Sequence, residues 1–223
     1  MSAAHEKRLR RWSAAADTTF DVLVVGGGIH GATVACRAAQ AGLSVALMEK
    51  GDYGEAASAN SLKILHGGLR YLQQLDIRRV RESIAARRDG LASLPHLARP
   101  AHFIAPTGKG LKRSAAAYHV AALLNDLFAY DRNRGLLSSH HLPPTRVVGP
   151  RELAGLLPSG SLPARHALSW SDGWIENTER YTLAYVMSAR AAGAAVFNQA
   201  RAVEWMQSGG LVTGARVDRK SVM

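Results

Sequence analysis

The first regular element is predicted at Asp21–Val25, a short apolar run that is rich in valine and is followed at once by three glycines. A run of this length and composition is typical of a strand buried in a parallel sheet. An alanine-rich pattern predicts a helix over residues 29–42, ended by Gly42, and a second apolar run predicts a strand over residues 43–48. Together they form a β-α-β unit of about 30 residues.

Apolar residues at helical spacing predict two longer helices farther along the chain. The first covers residues 76–94 and begins at Asp76, and the second covers residues 111–130. Their predicted apolar stripes are Ile77, Val80, Ile84 and Leu91 in the first helix, and Leu123, Leu124, Leu127 and Phe128 in the second. We expect the arginines of the first helix to form a solvated face.

The rest of the chain alternates short β-forming runs with turn-forming residues. Five of the eight prolines fall in residues 131–165, which predicts an irregular connection with one short helix near residues 152–157. Short strands are predicted over residues 102–105, 167–170, 195–197, 202–206 and 211–217, with a helix over residues 178–192. The last two strands are predicted to form a hairpin.

The glycines after the first strand fit the pattern Gly-x-Gly-x-x-Gly, and each has a physical role. Gly26 permits the tight turn out of the strand, and Gly28 lets backbone amides approach a pyrophosphate without a Cβ in the way. Gly31 lets the helix pack closely on the strand, and the phosphates meet the positive end of the helix dipole. Glu49, at the end of the second strand, can accept hydrogen bonds from ribose hydroxyls. The pattern predicts a dinucleotide site and leaves NAD and FAD as alternatives.

A second glycine-rich segment, residues 63–72 (KILHGGLRYL), follows a small polar stretch that contains Ser58 and Ser61. Its adjacent glycines, Gly67 and Gly68, are flanked by a histidine, an arginine and a tyrosine. Such a segment could lay backbone amides along a flavin edge and present a guanidinium to an anionic substrate. A glycine-punctuated helix break with solvated charges explains the same residues, so both interpretations stand at this point.

Composition and charge narrow the class of protein. An apolar fraction of 47% and a charged fraction of 20% indicate a globular protein, and no apolar run reaches the ~18 to 20 residues of a membrane-spanning helix. The net charge of +11 favours anionic ligands or an anionic membrane surface. The basic residues are dispersed and match no nucleic-acid motif, so no nucleic-acid partner is expected. The basic residues of 1–19 are expected to form a disordered arm.

The remaining candidates are assigned to packing rather than to chemistry. Cys36, the single cysteine, lies among alanines and is predicted to pack in the core. His140 and His141 have no acidic or cysteine partners at ligand spacing, so no metal site is expected. Trp170 and Trp174 are predicted to pack in the core as well.

Four segments together resemble the N-terminal part of the FAD-dependent glycerol-3-phosphate dehydrogenases. They are VVGGGIHGA, LSVALMEKGD, SLKILHGGLRYL and PHLARP, and the similarity continues through SDGWIENTERYTL, from about Phe20 to Val217. The resemblance implies an α/β fold with a Rossmann-like FAD-binding domain of three layers (ββα). That domain would comprise residues 20–105 and 166–223, interrupted at residues 106–165 by part of a cap or substrate region.

The resemblance also implies FAD as the cofactor and a role for individual residues. Gly26, Gly28, Gly31 and Glu49 would bind the ADP half of FAD; Ser58, Ser61 and Lys63 would line its pyrophosphate and ribityl region; and His66, Gly67, Gly68 and Leu69 would lie against the isoalloxazine. Arg70 and Tyr71 would bind the substrate, with Arg70 and His66 as the catalytic residues. A guanidinium suits a phosphate because the two can form paired hydrogen bonds.

The activity implied by the resemblance is oxidation of sn-glycerol 3-phosphate to dihydroxyacetone phosphate. Hydride would pass to the flavin, and electrons would then pass to membrane quinone, or to oxygen. A cytoplasmic protein, peripheral on the inner face of the cell membrane, fits that role. The alternatives are a related FAD-dependent amine or hydroxy-acid oxidase, in which Arg70 would hold a carboxylate, and a non-catalytic FAD-binding remnant.

Three departures from the family pattern affect these expectations. Leu62 stands where the family commonly has a serine, and Glu179-Arg180 stands where it usually has an arginine–leucine pair. Family members also continue well beyond residue 223, so the chain is expected to be C-terminally truncated. We therefore expect weak FAD binding and little turnover from this chain alone.

Overall fold

The computed structural model describes residues 12–15, 18–156 and 165–219. The chain divides into two compact units: unit 1 is Met1–Leu62 with Asn177–Met223, and unit 2 is Lys63–Glu176. Residues 63–105 are thus grouped in one unit with the predicted insertion, residues 106–165. The charged residues of the predicted N-terminal arm and residue 157 of the predicted short helix lie outside the described residues.

Both helices and strands occur in each unit. In chain order they are β1 (Val22–Val25), α1 (Ile29–Gln40), β2 (Val45–Met48), β3 (Ile64–Leu65), α2 (Leu69–Leu72), α3 (Ile77–Ser93), β4 (Ala98–Pro106), α4 (Ala115–Phe128), β5 (Arg146–Val148), α5 (Pro150–Leu156), β6 (Ala167–Ile175), α6 (Thr178–Ala191), β7 (Ala195–Phe197), β8 (Ala200–Ser208) and β9 (Leu211–Arg219). Short 3₁₀ turns at Leu111–Arg113 and Ser138–His140 lie on either side of α4. Across the described ranges, no helix is long and apolar enough to cross a membrane.

Unit 1 contains a parallel sheet in the order β1-β2-β7, together with the β8–β9 hairpin. β1 runs parallel to β2, with Val22 opposite Val45, which confirms the predicted β-α-β unit. The hairpin turns at Gly209 and Gly210, which both have a positive φ. Its strands are each longer than predicted, because pairing continues to Ala200 at the open end.

The core of unit 1 forms where α1 packs against β1, β2 and α6. Val45, Ala46 and Leu47 of the central strand are at most 1% exposed. Cys36 lies on α1 among buried alanines and is 3% exposed, as its predicted packing role requires. Burial raises the pKa of the Cys36 thiol, so the thiol remains protonated and packs as a small apolar group.

Unit 2 is built on an antiparallel sheet in which β3, β4 and β5 all pair with β6. β4 pairs along the whole of β6, from Ala98 opposite Ile175 to Pro106 opposite Ala167, and is longer than the predicted strand of residues 102–105. β4 lies at the edge of the sheet and pairs with a strand on one side only. Pro100 and Pro106, which lack an N–H donor, are tolerated at such an edge.

Helix α3 begins and packs as its pattern predicts, with one exception. The Asp76 carboxylate caps it by accepting a hydrogen bond from the Arg79 amide at 3.1 Å, and Val80 and Ile84 are fully buried. The prediction that the arginines of this helix form a solvated face is wrong for Arg87, which is 5% exposed. Arg87 follows Ile84 by three residues and therefore shares the face of the apolar stripe.

Helix α4 packs through a face that differs from the predicted stripe. Leu123 and Leu127 are 71% and 62% exposed, whereas Leu124 and Phe128 are partly buried. The buried residues of the helix are Tyr118, Ala122 and Asn125. The buried Asn125 amide is satisfied because it donates to the Thr145 hydroxyl at 2.7 Å. A satisfied polar residue thus occupies the buried face, and two leucines remain outside it.

Candidate functional site

The glycine loop of unit 1 has the geometry that its glycines predict. Gly26 has a φ of 110°, which favours glycine, and its amide donates to the Met48 carbonyl at 2.8 Å. A Cβ on Gly31 would lie 1.9 Å from the Gly26 carbonyl oxygen. Helix α1 therefore lies against the loop at a distance that no residue larger than glycine permits.

The N-terminus of α1 begins at a glycine beside the Ser58 hydroxyl. Its N-cap residue, Gly28, has no side chain and therefore makes no capping hydrogen bond of its own. Ser58 lies beside this end of the helix: its Oγ accepts a hydrogen bond from the Ile29 amide at 2.9 Å and would be 3.2 Å from a Cβ on Gly28. Amides of a first turn and a hydroxyl suit a phosphate at the positive end of the helix dipole. Ser61, three residues farther on, is exposed.

Glu49 ties the glycine loop to the turn that follows β2. The residue is 9% exposed; its Oε2 accepts from the Gly27 amide at 2.6 Å, and its Oε1 accepts from the Gly51 amide at 2.8 Å. Each carboxylate oxygen can accept a second hydrogen bond. Glu49 therefore holds the loop and still has acceptor capacity for ribose hydroxyls.

Gly27 is a site residue that the sequence motif leaves unassigned. A Cβ at this position would lie 2.8 Å from the Cβ of Glu49 and 2.6 Å from Cδ1 of Tyr53. Only glycine therefore lets the Glu49 side chain reach the loop. The signal in the sequence was a third glycine at a position where the motif accepts any residue.

Lys63 begins unit 2 in a strained backbone conformation. Its φ is 59°, which is rare for a residue with a side chain. Its carbonyl accepts from the Ile175 amide at 2.8 Å, and its Nζ donates to the Glu176 carbonyl at 3.3 Å. The lysine side chain is therefore held at the end of strand β6.

The two glycines of the second segment pack against helix α3. The Gly67 amide donates to Asp172 Oδ1 at 2.7 Å, and a Cβ on Gly67 would lie 2.2 Å from Arg87 Nη1. Gly68 is the N-cap of α2, with a φ of 80°, and a Cβ there would lie 2.9 Å from the Cβ of Ser83. The segment is thus a buried glycine turn followed by a short helix. The Gly67 amide is used within the protein instead of being exposed.

The side chains on either side of this turn are more accessible than its glycines. His66 and Arg70 are exposed, and Leu69 and Tyr71 are half-buried. The rings of His66 and Tyr71 lie 6.0 Å apart, edge to face, and Arg79 Cζ lies 5.9 Å from the centroid of the Tyr71 ring. The structure therefore brings His66 beside Tyr71, one helical turn from the glycines.

Asp172, Arg87 and Trp170 were not assigned to the site from the sequence. Arg87 Nη1 lies 2.6 Å from Asp172 Oδ1, and their side chains are 5% and 8% exposed. Trp170 Nε1 donates to Asp172 Oδ2 at 2.9 Å, while its ring stacks on Phe103 at 5.7 Å. Two signals were present in the sequence: an arginine at the apolar spacing of α3, and an acid inside a strand.

One of the paired histidines, His140, has a structural role. His140 Nε2 lies 2.8 Å from the Pro95 carbonyl oxygen and 3.1 Å from that of Ala98. Among the residues that the structure describes, no three His, Cys, Asp or Glu side chains are grouped so that they could hold a metal ion.

A comparison with protein families gives a match that covers both units. A sequence model of the family described as FAD dependent oxidoreductase matches residues 21–222. The matched range contains the glycine loop, Glu49 and the turn that carries His66 and Arg70.

Two curated relatives of similar sequence are named glycerol-3-phosphate dehydrogenase. The one from Pseudomonas aeruginosa is 37% identical over 215 residues, which cover 95% of this chain and 38% of the relative. The one from Synechocystis is 31% identical over 202 residues, which cover 90% of this chain and 35% of the relative. The chain therefore spans between 35% and 38% of the length of these relatives.

A solved structure of similar fold is the glycerol-3-phosphate dehydrogenase from Bacillus halodurans complexed with FAD. It aligns with a TM-score of 0.60 at 19% sequence identity, covering 95% of this chain and 34% of that chain. At this identity the likeness concerns the fold, and it confirms the predicted α/β, Rossmann-like FAD-binding fold class.

Proposed function

The chain belongs to the FAD-dependent oxidoreductase family, and on that premise we propose that it serves the oxidation of sn-glycerol 3-phosphate to dihydroxyacetone phosphate. FAD, when bound, supplies the acceptor for a hydride. The observation that carries the substrate assignment is the 31–37% sequence identity to relatives named glycerol-3-phosphate dehydrogenase.

The residues of unit 1 suit the ADP half of FAD. A pyrophosphate needs amide donors and a close approach to the backbone, and the N-cap residue of α1, Gly28, has no side chain to obstruct that approach. Ribose hydroxyls need an acceptor such as the carboxylate of Glu49. We therefore assign the ADP and pyrophosphate groups to Gly26, Gly28, Gly31, Glu49, Ser58 and Ser61.

For unit 2, we assign the ribityl and isoalloxazine groups to Lys63, His66, Gly67, Gly68 and Leu69. The exposed Arg70 guanidinium would bind the substrate phosphate through paired hydrogen bonds, with the Tyr71 phenol as a further donor. His66 carries an imidazole, a common general base, and would take the proton of the C2 hydroxyl while the hydride passes from the C2 carbon to the bound FAD.

We further propose membrane quinone as the electron acceptor, with the protein peripheral on the inner face of the cell membrane. The net charge of +11 supports this location, because basic proteins are attracted to anionic lipid. Oxygen is the alternative acceptor. Reoxidation of the reduced flavin by a quinone analogue but not by oxygen is the expected result.

The substrate assignment is tested by a titration of the purified chain loaded with FAD. Sn-glycerol 3-phosphate, glycine and a 2-hydroxy acid are each added without oxygen while the visible spectrum of the bound flavin is followed. Because little turnover is expected from this chain, we expect a saturable perturbation of the flavin spectrum by bound sn-glycerol 3-phosphate, and none by the other two compounds. Arg70→Ala should raise its half-saturating concentration about tenfold to hundredfold, because a hydrogen-bonded ion pair to the phosphate is lost.

Arg134→Ala is the matched control, because Arg134 is an exposed arginine elsewhere in unit 2 and should leave the half-saturating concentration unchanged. A response to glycine or to the 2-hydroxy acid, with none to sn-glycerol 3-phosphate, would instead support a related amine or hydroxy-acid oxidase. FAD binding without a response to any of the three compounds would support a non-catalytic FAD-binding remnant.

A further inference from the structure

Asp172 joins three parts of unit 2 through its carboxylate. Oδ1 accepts from the Gly67 amide at 2.7 Å and from Arg87 Nη1 at 2.6 Å, and Oδ2 accepts from the Trp170 indole at 2.9 Å. The Asp172 and Arg87 side chains are 8% and 5% exposed. The carboxylate is therefore a buried connection between strand β6, helix α3 and the turn that contains Gly67.

Stability alone does not explain this buried ion pair. Both charges are withdrawn from water, and Arg87 Nε has no hydrogen-bond partner among the described residues. Replacing a buried ion pair by well-packed apolar residues is often neutral or stabilising. The carboxylate supplies something that apolar residues cannot, which is a directional hydrogen bond to one backbone amide, that of Gly67.

The turn lies directly on the Arg87 guanidinium. A Cβ on Gly67 would lie 2.2 Å from Arg87 Nη1, so no side chain separates the turn from helix α3. Fixing the Gly67 amide therefore fixes His66 immediately before it and the short helix α2 soon after it, which carries Arg70.

We propose that Asp172, held by Arg87 and Trp170, is a positioning residue that sets the orientation of His66 and Arg70 through the Gly67 amide. The chemical roles of His66 and Arg70 rest on the proposed function. The anchoring of the turn rests on the geometry of unit 2. Asp172 acts through the backbone and is not assigned a contact with substrate or cofactor.

Amide hydrogen exchange of the purified chain tests the anchoring without any ligand. Asp172→Asn keeps the size of the side chain but removes its charge, and charge-assisted hydrogen bonds are roughly twice as strong as neutral ones. We expect the Gly67 amide and its neighbours in residues 66–70 to exchange at least about tenfold faster than in the wild type.

Asp131→Asn is the matched control for this measurement. Asp131 pairs with Arg81 at 2.7 Å and with Arg88 at 2.5 Å, so it too is a carboxylate bound to arginines of α3. No contact described for Asp131 involves the turn. Its substitution should leave exchange in residues 66–70 within about twofold of the wild type, while it loosens the contacts of α3 at Arg81 and Arg88.

Trp170→Phe provides a second variant in case Asp172→Asn does not fold. It removes the indole donor to Asp172 and keeps an aromatic ring against Phe103. We expect the same amides to exchange about threefold faster, because a neutral hydrogen bond is worth less than a charged one. Exchange in residues 66–70 that is unchanged in every folded variant would overturn the proposal.

A spectroscopic measurement separates positioning from stability. In the FAD-loaded chain, Asp172→Asn should shift the visible absorption of the flavin. It should also raise the half-saturating concentration of sn-glycerol 3-phosphate about tenfold. Asp131→Asn should change neither quantity. If the wild-type chain does not bind FAD even when FAD is added in excess, the proposed function fails, and the hydrogen-exchange result alone tests the anchoring of the turn. If the wild-type chain binds FAD, and Asp172→Asn changes neither the flavin spectrum nor the half-saturating concentration of sn-glycerol 3-phosphate, Asp172 does not have the proposed positioning role.

Discussion

The two glycine turns of the molecule are held in place by different means. The turn of unit 1 is fixed within one β-α-β unit, where the Glu49 carboxylate accepts a hydrogen bond from the Gly27 amide, 22 residues earlier in the chain. The turn of unit 2 is fixed by Asp172, which is 105 residues from Gly67 along the chain. A site built inside one β-α-β unit is visible in local sequence, whereas a site anchored across a sheet is not.

The two turns also offer different chemistry to a ligand. The N-terminus of α1 offers backbone amides next to the Ser58 hydroxyl, with no side chain at Gly28. In unit 2 the Gly67 amide is used internally, and the exposed groups are the side chains of His66 and Arg70. The first turn suits a pyrophosphate held by dipoles, and the second suits a group recognised by charge and by proton transfer.

Arg87→Met should have the largest effect, because it leaves the buried Asp172 carboxylate without its cation. Breaking a buried ion pair typically costs about 3–5 kcal/mol, and we expect a loss of that size in the free energy of unfolding of unit 2. Urea denaturation, with hydrogen exchange in α3 to assign the loss to unit 2, measures it. The double variant Arg87→Met with Asp172→Asn should recover part of the loss, since no unpaired charge remains. A loss below about 1 kcal/mol would show that Asp172 is not held by this pair.

Gly31→Ala should have the next largest effect, this time in unit 1. The new Cβ would lie 1.9 Å from the Gly26 carbonyl oxygen, so α1 must move away from the loop. We expect a loss of about 2–3 kcal/mol in the free energy of unfolding, together with weaker FAD binding. Gly155→Ala in α5 is the control: nothing lies within 4 Å of its added Cβ, and alanine favours helix, so stability should not fall. Equal effects of the two substitutions would contradict the close approach at Gly31.

Asp131 should give the smallest effect, which depends on pH. Hydrogen bonds from Arg81 and then from Arg88 lower the pKa of Asp131 to about 2. The unfolded carboxyl has a pKa of about 3.9, so the stabilisation is complete above about pH 5 and is mostly lost as the pH falls to about 2. Asp131→Asn should therefore cost about 1 kcal/mol at pH 7 and almost nothing at pH 2, because Arg81 is 33% exposed and the pair is partly screened.

Urea denaturation at the two pH values measures the Asp131 effect. Glu82→Gln is its control, because Glu82 pairs with Arg78 on the exposed side of the same helix. Exposed pairs contribute about 0.3–0.5 kcal/mol, so this substitution should change little at either pH. An Asp131→Asn cost that persists at pH 2 would contradict the charge-based origin of the effect.

The fold class and the turn of unit 1 were predictable from sequence because strand, glycines, helix and acid all lie within residues 21–49. The family resemblance located the turn of unit 2 but not what holds it. Arg87 was placed on a solvated face although its spacing puts it on the apolar side of α3. A buried arginine is identified only when its partner is known, and that partner, Asp172, comes from a distant strand.

The apolar stripe of α4 shows a second limit of sequence patterns. Leu123 and Leu127 have the helical spacing that is typical of buried residues, yet both are exposed. Which face of a helix meets the sheet depends on long-range contacts, and the buried face of α4 carries such a contact in the Asn125–Thr145 hydrogen bond. Periodicity is therefore a better guide to the presence of a helix than to which of its faces is buried.

The glycine loop with Glu49 is proposed to hold the ADP half of FAD, and a binding titration of the purified chain tests this proposal. The purified chain is titrated with FAD while flavin fluorescence is followed, with ADP as competitor. We predict saturable binding that ADP displaces. Gly28→Val should weaken it by at least about a hundredfold, because a Cβ at Gly28 would lie 3.2 Å from Ser58 Oγ and would block the α1 amides. FAD binding that ADP does not displace, or that Gly28→Val leaves unchanged, would contradict the claim.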